Sequence, residues 1–203
     1  MTADLVQESW SRIDAWLREH APRTFATLRP PAKVEEITAA QDGLGITFPP
    51  DLIASLLRHD GALDGPEAFR FNTHDRLLGV SGILEDTRFM RAVADDLDEK
   101  EAEDYWQHGY AKFGSYGATS DGLMIDCRTG RDSFGAIGRF FDETGTSFGE
   151  GRLTWWVSGR AGRPARARPG CRCRHVQRPA VLGVGDACPS GVGQCRRSSW
   201  RTG

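Results

Sequence analysis

Residues 44–61, LGITFPPDLIASLLRHDG, predict a short helix with both ends marked. Pro50 or Asp51 occupies the first helical position, where a proline is favourable because its missing N–H is not needed there. Gly61 ends the helix, since glycine adopts the backbone conformations that follow a helix at little cost. The side chains expected to pack into a core are Leu52, Leu56 and Leu57.

Two more helices are predicted before this segment. Residues 4–20 place apolar side chains at helical spacing, and Ala21-Pro22 ends the helix because a residue before proline avoids helical geometry. Pro30-Pro31 opens the second helix, and Gly43 is the residue after its end. The side chains expected to face the core are Leu5, Val6, Trp10, Ile13, Trp16 and Leu17 in the first helix, and Val34, Ile37 and Ala40 in the second.

Alternating patterns dominate the chain after this helical part. Because strands follow strands, the sheet should be mainly antiparallel. The predicted fold class is therefore α+β, a single domain with a mixed, mainly antiparallel sheet flanked by helices. The predicted elements are strands at 69–71 and 76–80, a helix at 82–105, strands at 110–116, 123–127 and 134–141, and the start of a final helix at 153–156.

Charge is distributed unevenly along the 203 residues. Residues 159–203 contain ten arginines and one acid, Asp186, which gives a formal charge of +9. The whole chain carries −2, so residues 1–158 carry −11. Bulky apolar residues are scarce after Ser158, and we therefore predict a domain over 1–157 and a disordered basic segment over 158–203.

The basic segment has three candidate explanations. Its arginines are suited to contacts with nucleic-acid phosphates. Its cysteines and one histidine are a candidate zinc set, although the usual paired C-x₂-C knuckles are missing. A shifted reading frame in G+C-rich DNA would also give this composition, and it is the hypothesis we favour, so nucleic-acid binding is expected only adventitiously. The candidate zinc ligands are Cys171, Cys173, His175, Cys188 and Cys195.

Several motifs lie in order between residues 6 and 157. They are Trp10-x-x-Ile13-x-x-Trp16-Leu17, Leu28-Arg29-Pro30-Pro31-Ala32, Glu35-Glu36-Ile37, Leu44-Gly45-x-x-Phe48-Pro49-Pro50-Asp51-Leu52, Leu56-Leu57-x-His59-Asp60-Gly61, Tyr105-Trp106, Asp121-Gly122-Leu123-x-x-Asp126, Gly138-Arg139-Phe140 and Leu153-Thr154-x-Trp156. Together they resemble bacterial proteins of the SUKH superfamily, also called Smi/Knr-like. Members of that family normally continue with an amphipathic helix, which Val157–Pro164 replaces here.

The resemblance implies an α+β fold and a binding role rather than catalysis. Many bacterial members are immunity proteins, so it implies an immunity protein that binds and neutralises a cognate toxin encoded nearby. The alternative is a regulatory or scaffold module with an endogenous partner, as the yeast-type members are. A metal-dependent hydrolase is a distant third.

The hydrolase hypothesis rests on His59-Asp60 and its repeat, His74-Asp75, because such pairs serve as metal ligands. The competing interpretation is that His59 caps the end of a helix and that His74-Asp75 lies in a hairpin loop. The sequence has no glycine-rich phosphate loop and no nucleophile elbow, and Cys127 ends an apolar strand as a buried thiol would. We therefore predict a non-enzymatic protein without a catalytic residue, a metal site or a cofactor.

An acidic run beyond residue 94 is the candidate binding surface. Negative charge favours association with a basic partner, such as a toxin that binds nucleic acid, whereas the alternative is simply a solvated helix end. Trp106 is a candidate exposed anchor. The predicted partner-binding residues are Asp60, Asp95, Asp96, Asp98, Glu99, Glu101, Asp104 and Trp106.

Location follows from two negative observations. No run approaches the eighteen apolar residues of a membrane-spanning helix, and the acidic N-terminus lacks the apolar core of a signal peptide. We therefore expect a cytoplasmic protein with a protein partner and no contact with a membrane.

Overall fold

The computed structural model describes residues 2–71, 74–117 and 119–152, and the predictions for 153–156 and for the basic segment lie outside these ranges. The described chain forms six helices and five strands. They are α1 (Thr2–His20), α2 (Pro22–Phe25), α3 (Val34–Leu44), α4 (Pro50–Leu56), β1 (Arg76–Leu77), α5 (Val80–Asp95), α6 (Glu99–Tyr105), β2 (Tyr110–Ser115), β3 (Gly122–Asp126), β4 (Ala136–Phe141) and β5 (Gly145–Arg152).

The strands form one sheet in the order β1-β2-β3-β4-β5, with every neighbouring pair antiparallel. The predicted α+β class is confirmed, and the described strands contain no parallel pair. Ser115 pairs with Gly122, Gly122 with Phe140, and Phe140 with Thr146. This register places the β2–β3 turn and the β4–β5 turn at the same end of the sheet.

The first helices follow the predicted order with shifted ends. α4 begins at Pro50 as predicted, whereas α3 begins at Val34 because the chain is extended up to Lys33. α3 ends at Leu44, and the residue after its end is Gly45, whose φ of +62° is accessible to glycine, rather than the predicted Gly43. Four apolar residues expected to pack inward are exposed instead, namely Leu5, Trp16, Val34 and Leu57.

The helix predicted over 82–105 is two helices. α5 begins at Val80, two residues early, and ends at Asp95, and α6 begins after Asp98. The Asp98 carboxylate accepts a hydrogen bond of 2.9 Å from the backbone N–H of Glu101, so the acidic run supplies its own N-cap. Because Val80 already belongs to α5, the strand predicted over 76–80 shortens to β1.

One strand prediction was wrong, and one strand was not predicted. Residues 69–71 form no strand, and their contribution is an isolated bridge between Arg70 and Arg76. β5 was missed because its sequence, GTSFGEGR, contains three glycines and only one large apolar residue, Phe148. Its pairing with β4 stabilises a segment whose own composition does not favour a strand.

Helices pack on both faces of the sheet. One core joins α1, α3 and α4 to Phe113, Ile125 and Ile137 of the sheet, and the second joins α5 and α6 to Met124 and Phe140. α5 also reaches the edge of β2, where Thr87 Oγ1 accepts a hydrogen bond of 3.0 Å from the backbone N–H of Lys112. Among the described helices, none is both long and apolar enough to cross a membrane.

The turn after α4 holds α5 in place. The Asp60 carboxylate accepts a hydrogen bond of 2.7 Å from the backbone N–H of Val80, the first residue of α5. The two backbones approach so closely that a Cβ on Gly61 would lie 2.2 Å from Gly79 N. Gly61 also has a φ of +76°, so both space and conformation demand glycine there.

Gly61→Ala should lower the free energy of unfolding by about 3 kcal/mol, because the added methyl strains the backbone and collides with Gly79. Gly45→Ala is the matched control, since Gly45 has a similar φ but open space around it, and it should cost only about 1 kcal/mol. Urea unfolding of both variants measures the difference. Equal losses would show that the close approach does not limit this turn.

Candidate functional site

The predicted acidic residues form an exposed surface on the end of α5 and on α6. The described members, called here the α6 acidic surface, are Asp95, Asp96, Asp98, Glu101 and Asp104, and all five are exposed. The side chain of Glu99 lies outside the described part of the structure. Asp98 caps α6, and Asp95 Oδ1 lies 2.8 Å from His108 Nε2. Asp96, Glu101 and Asp104 present their charge to solvent.

Trp106 is not part of this surface. Only 2% of the residue is exposed, and its ring packs edge-on against Tyr110 and Phe140 at centroid distances of 5.8 and 5.7 Å. The prediction of an exposed anchor was therefore wrong, because the indole closes the core between α6 and the sheet. A run of acidic residues before a tryptophan does not reveal which way the ring turns.

Asp60 is also separate from the acidic surface. It lies at the N-terminus of α5, and Asp95 is the last residue of that helix, so the 16 residues of α5 place the two about 24 Å apart. The Asp60 carboxylate is half-buried and bound to Val80 N. The Asp60 carboxylate therefore fixes the start of α5. This structural role differs from the contact with a partner that the sequence predicted for Asp60.

A groove that the sequence did not predict adjoins α6 at the end of the sheet. It has a volume of about 800 Å³ and lies between the β2–β3 turn and the β4–β5 turn. The exposed ring of Phe141 lines it, with 42% of the residue accessible. We call it the Phe141 groove. Three acidic residues also line it, namely Asp121, Asp142 and Glu143.

Hydrogen bonds tie the groove to α6. Tyr105 Oη donates to Asp142 Oδ1 at 2.7 Å, and the backbone N–H of Asp142 donates to Asp121 Oδ1 at 2.9 Å. Burial, followed by this contact with Asp142, raises the pKa of Tyr105, so the phenol remains a hydrogen-bond donor at neutral pH. A Cβ on Gly145 would lie 2.5 Å from the carbonyl oxygen of Asp104, which shows how closely the hairpin approaches the helix.

Sequence gave a partial signal for this groove. Asp142, Glu143 and Gly145 are typical of a turn, and Phe141 is the last residue of an alternating run. No local sequence pattern shows that α6 and these two turns, which are distant from one another in sequence, meet at one end of the sheet. That meeting depends on the strand register and on the undetected β5.

The His59-Asp60 pair has a structural role. His59 Nε2 lies 2.9 Å from Asp14 Oδ1, and His59 Nδ1 lies 3.0 Å from the carbonyl oxygen of Arg29. Arg58 Nε donates to the same Asp14 carboxylate at 3.0 Å, and Asp14 is only 1% exposed. The imidazole thus fastens α1 to the turn after α4, whereas the sequence suggested a helix cap.

Both ring nitrogens of His59 are therefore engaged with groups of the protein itself. Within residues 2–71, 74–117 and 119–152, no group of three or more His, Cys, Asp or Glu side chains is arranged to hold a metal ion. His74, from the second pair, instead packs edge-on against Tyr116 at 4.8 Å.

A second cavity, of about 740 Å³, lies where α3, α5 and the end of β3 meet. Arg91 crosses its wall, donating to the carbonyl oxygen of Leu44 at 2.7 Å and to that of His108. Because Leu44 ends α3, this guanidinium neutralises the partial negative charge of a helix C-terminus. The Arg91 guanidinium, which would be suited to an anionic ligand, is therefore already bound to backbone carbonyl groups of the protein.

Comparison with known proteins identifies the family. The model of the SMI1 / KNR4 family (SUKH-1) matches residues 31–155. The chain belongs to the SMI1/KNR4 family. The expected Smi/Knr-like resemblance is thus confirmed, and the match includes α3, α4 and every described element that follows.

Several yeast proteins of the SMI1/KNR4 family are similar to this chain. A KNR4/SMI1 homolog of Kluyveromyces lactis is 36% identical over 100 residues, which are 47% of this chain and 18% of that protein. The cell wall assembly regulator SMI1 of Saccharomyces cerevisiae is 30% identical over 117 residues, 55% of this chain and 22% of that protein.

The cell wall biosynthesis/cell cycle regulator smi1 of Schizosaccharomyces pombe is 32% identical over 94 residues, 46% of this chain and 19% of that protein. The chain therefore corresponds to about a fifth of the length of each of these SMI1/KNR4 relatives. The Saccharomyces cerevisiae and Schizosaccharomyces pombe proteins are named as regulators.

Cys127 should behave as an inert core thiol. It is buried, and burial raises its pKa to about 12, so its thiolate fraction at pH 8 is about a thousandfold lower than that of a thiol with a pKa near 9. We expect iodoacetamide to leave Cys127 unmodified in the native protein and to alkylate it in urea, as measured by peptide mass spectrometry. Native alkylation at the rate seen in urea would contradict a buried thiol.

Proposed function

We propose that this chain is a regulatory protein-binding module whose α6 acidic surface and Phe141 groove bind a basic segment of a partner protein. The observation that carries the proposal is an exposed aromatic ring, Phe141, in a groove at the end of the sheet that three acidic residues also line. The relatives named as regulators support the regulatory part, and they make a catalytic role a poor fit.

Phe141 and its surroundings have the composition of a protein-interaction site. Large aromatic side chains contribute much of the binding energy at interfaces when a rim of other residues keeps water out. The rim here is negative, because Asp121, Asp142 and Glu143 line the groove. Asp104 adds charge nearby, since it precedes Tyr105, whose hydroxyl donates to Asp142. Such a field favours arginine and lysine side chains and speeds their association.

The immunity role implied by the resemblance stays a prediction. An acidic surface is the feature that an inhibitor of a basic toxin domain would use, so this surface suits both hypotheses. The regulatory hypothesis has the better support, because the similar proteins are named for cell wall assembly and the cell cycle. The two hypotheses differ in the partner and share the mode of binding.

Reversing three exposed charges should abolish partner binding without unfolding the domain. We expect the combined variant Asp96→Lys, Glu101→Lys and Asp104→Lys to weaken binding at least about tenfold, because a basic partner would meet positive charge. The measurement is quantitative capture from an extract of the source cells, followed by titration of the identified partner with purified full-length chain.

The matched control is Glu8→Lys, Glu35→Lys and Asp132→Lys, which makes the same change in net charge at other exposed acids. It should keep the partner. Loss of the partner with both variants would mean that net charge alone drives capture, and retention with both would place the binding site elsewhere.

The immunity hypothesis makes a separate prediction. Co-expression of the full chain with the C-terminal domain of the nearest large upstream gene product should protect the host, and the two should co-purify. Death of the host despite soluble expression of the chain, with the toxin domain shown to be active, would leave the regulatory hypothesis alone.

A further inference from the structure

We infer that a groove beside α1 binds an acidic segment of a partner protein, with one large apolar side chain of that segment packed on Trp16. The groove, called here the Trp16 groove, has a volume of about 640 Å³ and lies between α1, α2 and residues 69–70. None of its described lining residues belongs to the α6 acidic surface or to the Phe141 groove. It is therefore a second interaction surface, beyond the proposed function.

The Trp16 groove joins an exposed aromatic ring to the apolar core. Two buried residues, Leu17 and Phe69, line it, and the Phe69 ring continues into the core at 5.4 Å from the Trp10 ring. Trp16 has 57% of its surface exposed, and its ring packs edge-on against His20 at 5.1 Å. Exposed aromatic rings of this kind supply much of the binding energy at protein interfaces once a partner covers them.

Helical spacing explains why α1 carries this surface. Ile13 and Trp16 are three residues apart, so they lie on one stripe of the helix, next to the buried stripe that contains Trp10 and Leu17. The apolar face of α1 is thus wider than the core covers. α1 precedes residue 31, where the match to the family model begins, so that match does not describe this side of the groove.

Positive charge accompanies the apolar surface. Among the described lining residues of the Trp16 groove, two are arginines, Arg12 and Arg70, and none is an aspartate or a glutamate. Arg70 donates to the carbonyl oxygen of His74 at 2.7 Å. Because that acceptor is neutral, the hydrogen bond orients the guanidinium without cancelling its charge. An arginine held in this way favours a carboxylate, to which it donates charge-assisted hydrogen bonds.

Local charge determines which partner the groove accepts. Residues 1–158 carry −11 in total, yet the screening length at physiological salt is about 8 Å, so charges at the groove outweigh distant ones. Trp16 favours an apolar side chain, and the two arginines favour carboxylates beside it. The expected ligand is therefore an acidic amphipathic segment, whereas the α6 acidic surface favours a basic one.

The first experiment selects peptides from a random dodecapeptide phage library on the purified full-length chain in reducing buffer. Peptides that need the groove are those lost when the selection is repeated on Trp16→Ala. We expect them to share a large apolar residue next to aspartate or glutamate. Basic peptides selected by the α6 acidic surface should persist on Trp16→Ala, which separates this surface from the site of the proposed function.

The second experiment measures the Kd of the most enriched Trp16-dependent peptide by fluorescence anisotropy. Trp16→Ala and Arg70→Gln should each weaken binding at least about tenfold. The matched controls are Phe89→Ala, at another ring that is 56% exposed, and Arg131→Gln, at another exposed arginine, and both should bind like the unmodified chain. Arg12→Gln, at an exposed helix position, repeats the charge test if Arg70→Gln lowers the urea midpoint.

Three results would overturn the inference. A library without any Trp16-dependent peptide would show that the groove binds no segment of this kind. Trp16-dependent peptides that lack acids would show that the arginines do not select the partner. Equal weakening by Phe89→Ala or Arg131→Gln would show that binding is not located at the groove. None of these results bears on the proposed function, which fails when charge reversal on the α6 acidic surface leaves binding intact.

Discussion

The fold depends on the buried contact between α1 and the turn that follows α4. Asp14 lies inside the protein and is held by Arg58 and by His59, whose other ring nitrogen faces the carbonyl oxygen of Arg29. A buried carboxylate is stable only when it is paired in this way. The next residue, Asp60, then binds the first N–H of α5. Two consecutive side chains therefore set the positions of the first helix and of the helix that crosses the sheet.

The position of α5 determines where the acidic surface lies. Its start is held at the turn after α4, and its middle is held to the edge of β2 by Thr87. The last turn of α5 packs against the sheet through the buried Ala94. The chain then turns into α6, whose Asp104 carbonyl oxygen closely approaches Gly145 at the start of β5. Tyr105 completes the arrangement by joining α6 to the β4–β5 turn through Asp142. The candidate binding site is thus built from elements whose places are set on the far side of the domain.

Sequence predicted the features that local physics controls. The proline at the start of α4, the apolar stripe of α1 and the alternation in β2, β3 and β4 each reflect one element's own preferences, and each was found. The break between α5 and α6 was missed because a run of acids looks like one charged helix end, although Asp98 caps a new helix. β5 and the burial of Trp106 were missed because both depend on neighbours distant in sequence. The groove was not predicted for the same reason, because its formation depends on β5, on the strand register and on the end of α6 together.

The separation of charge within the chain constrains how this surface works. An acidic domain gains little from more negative charge, and like charges spaced along α6 repel one another. A basic ligand relieves that repulsion, so the surface favours such a ligand wherever one is within reach. Specificity then requires something that arginine alone does not supply, namely an apolar side chain that packs on Phe141.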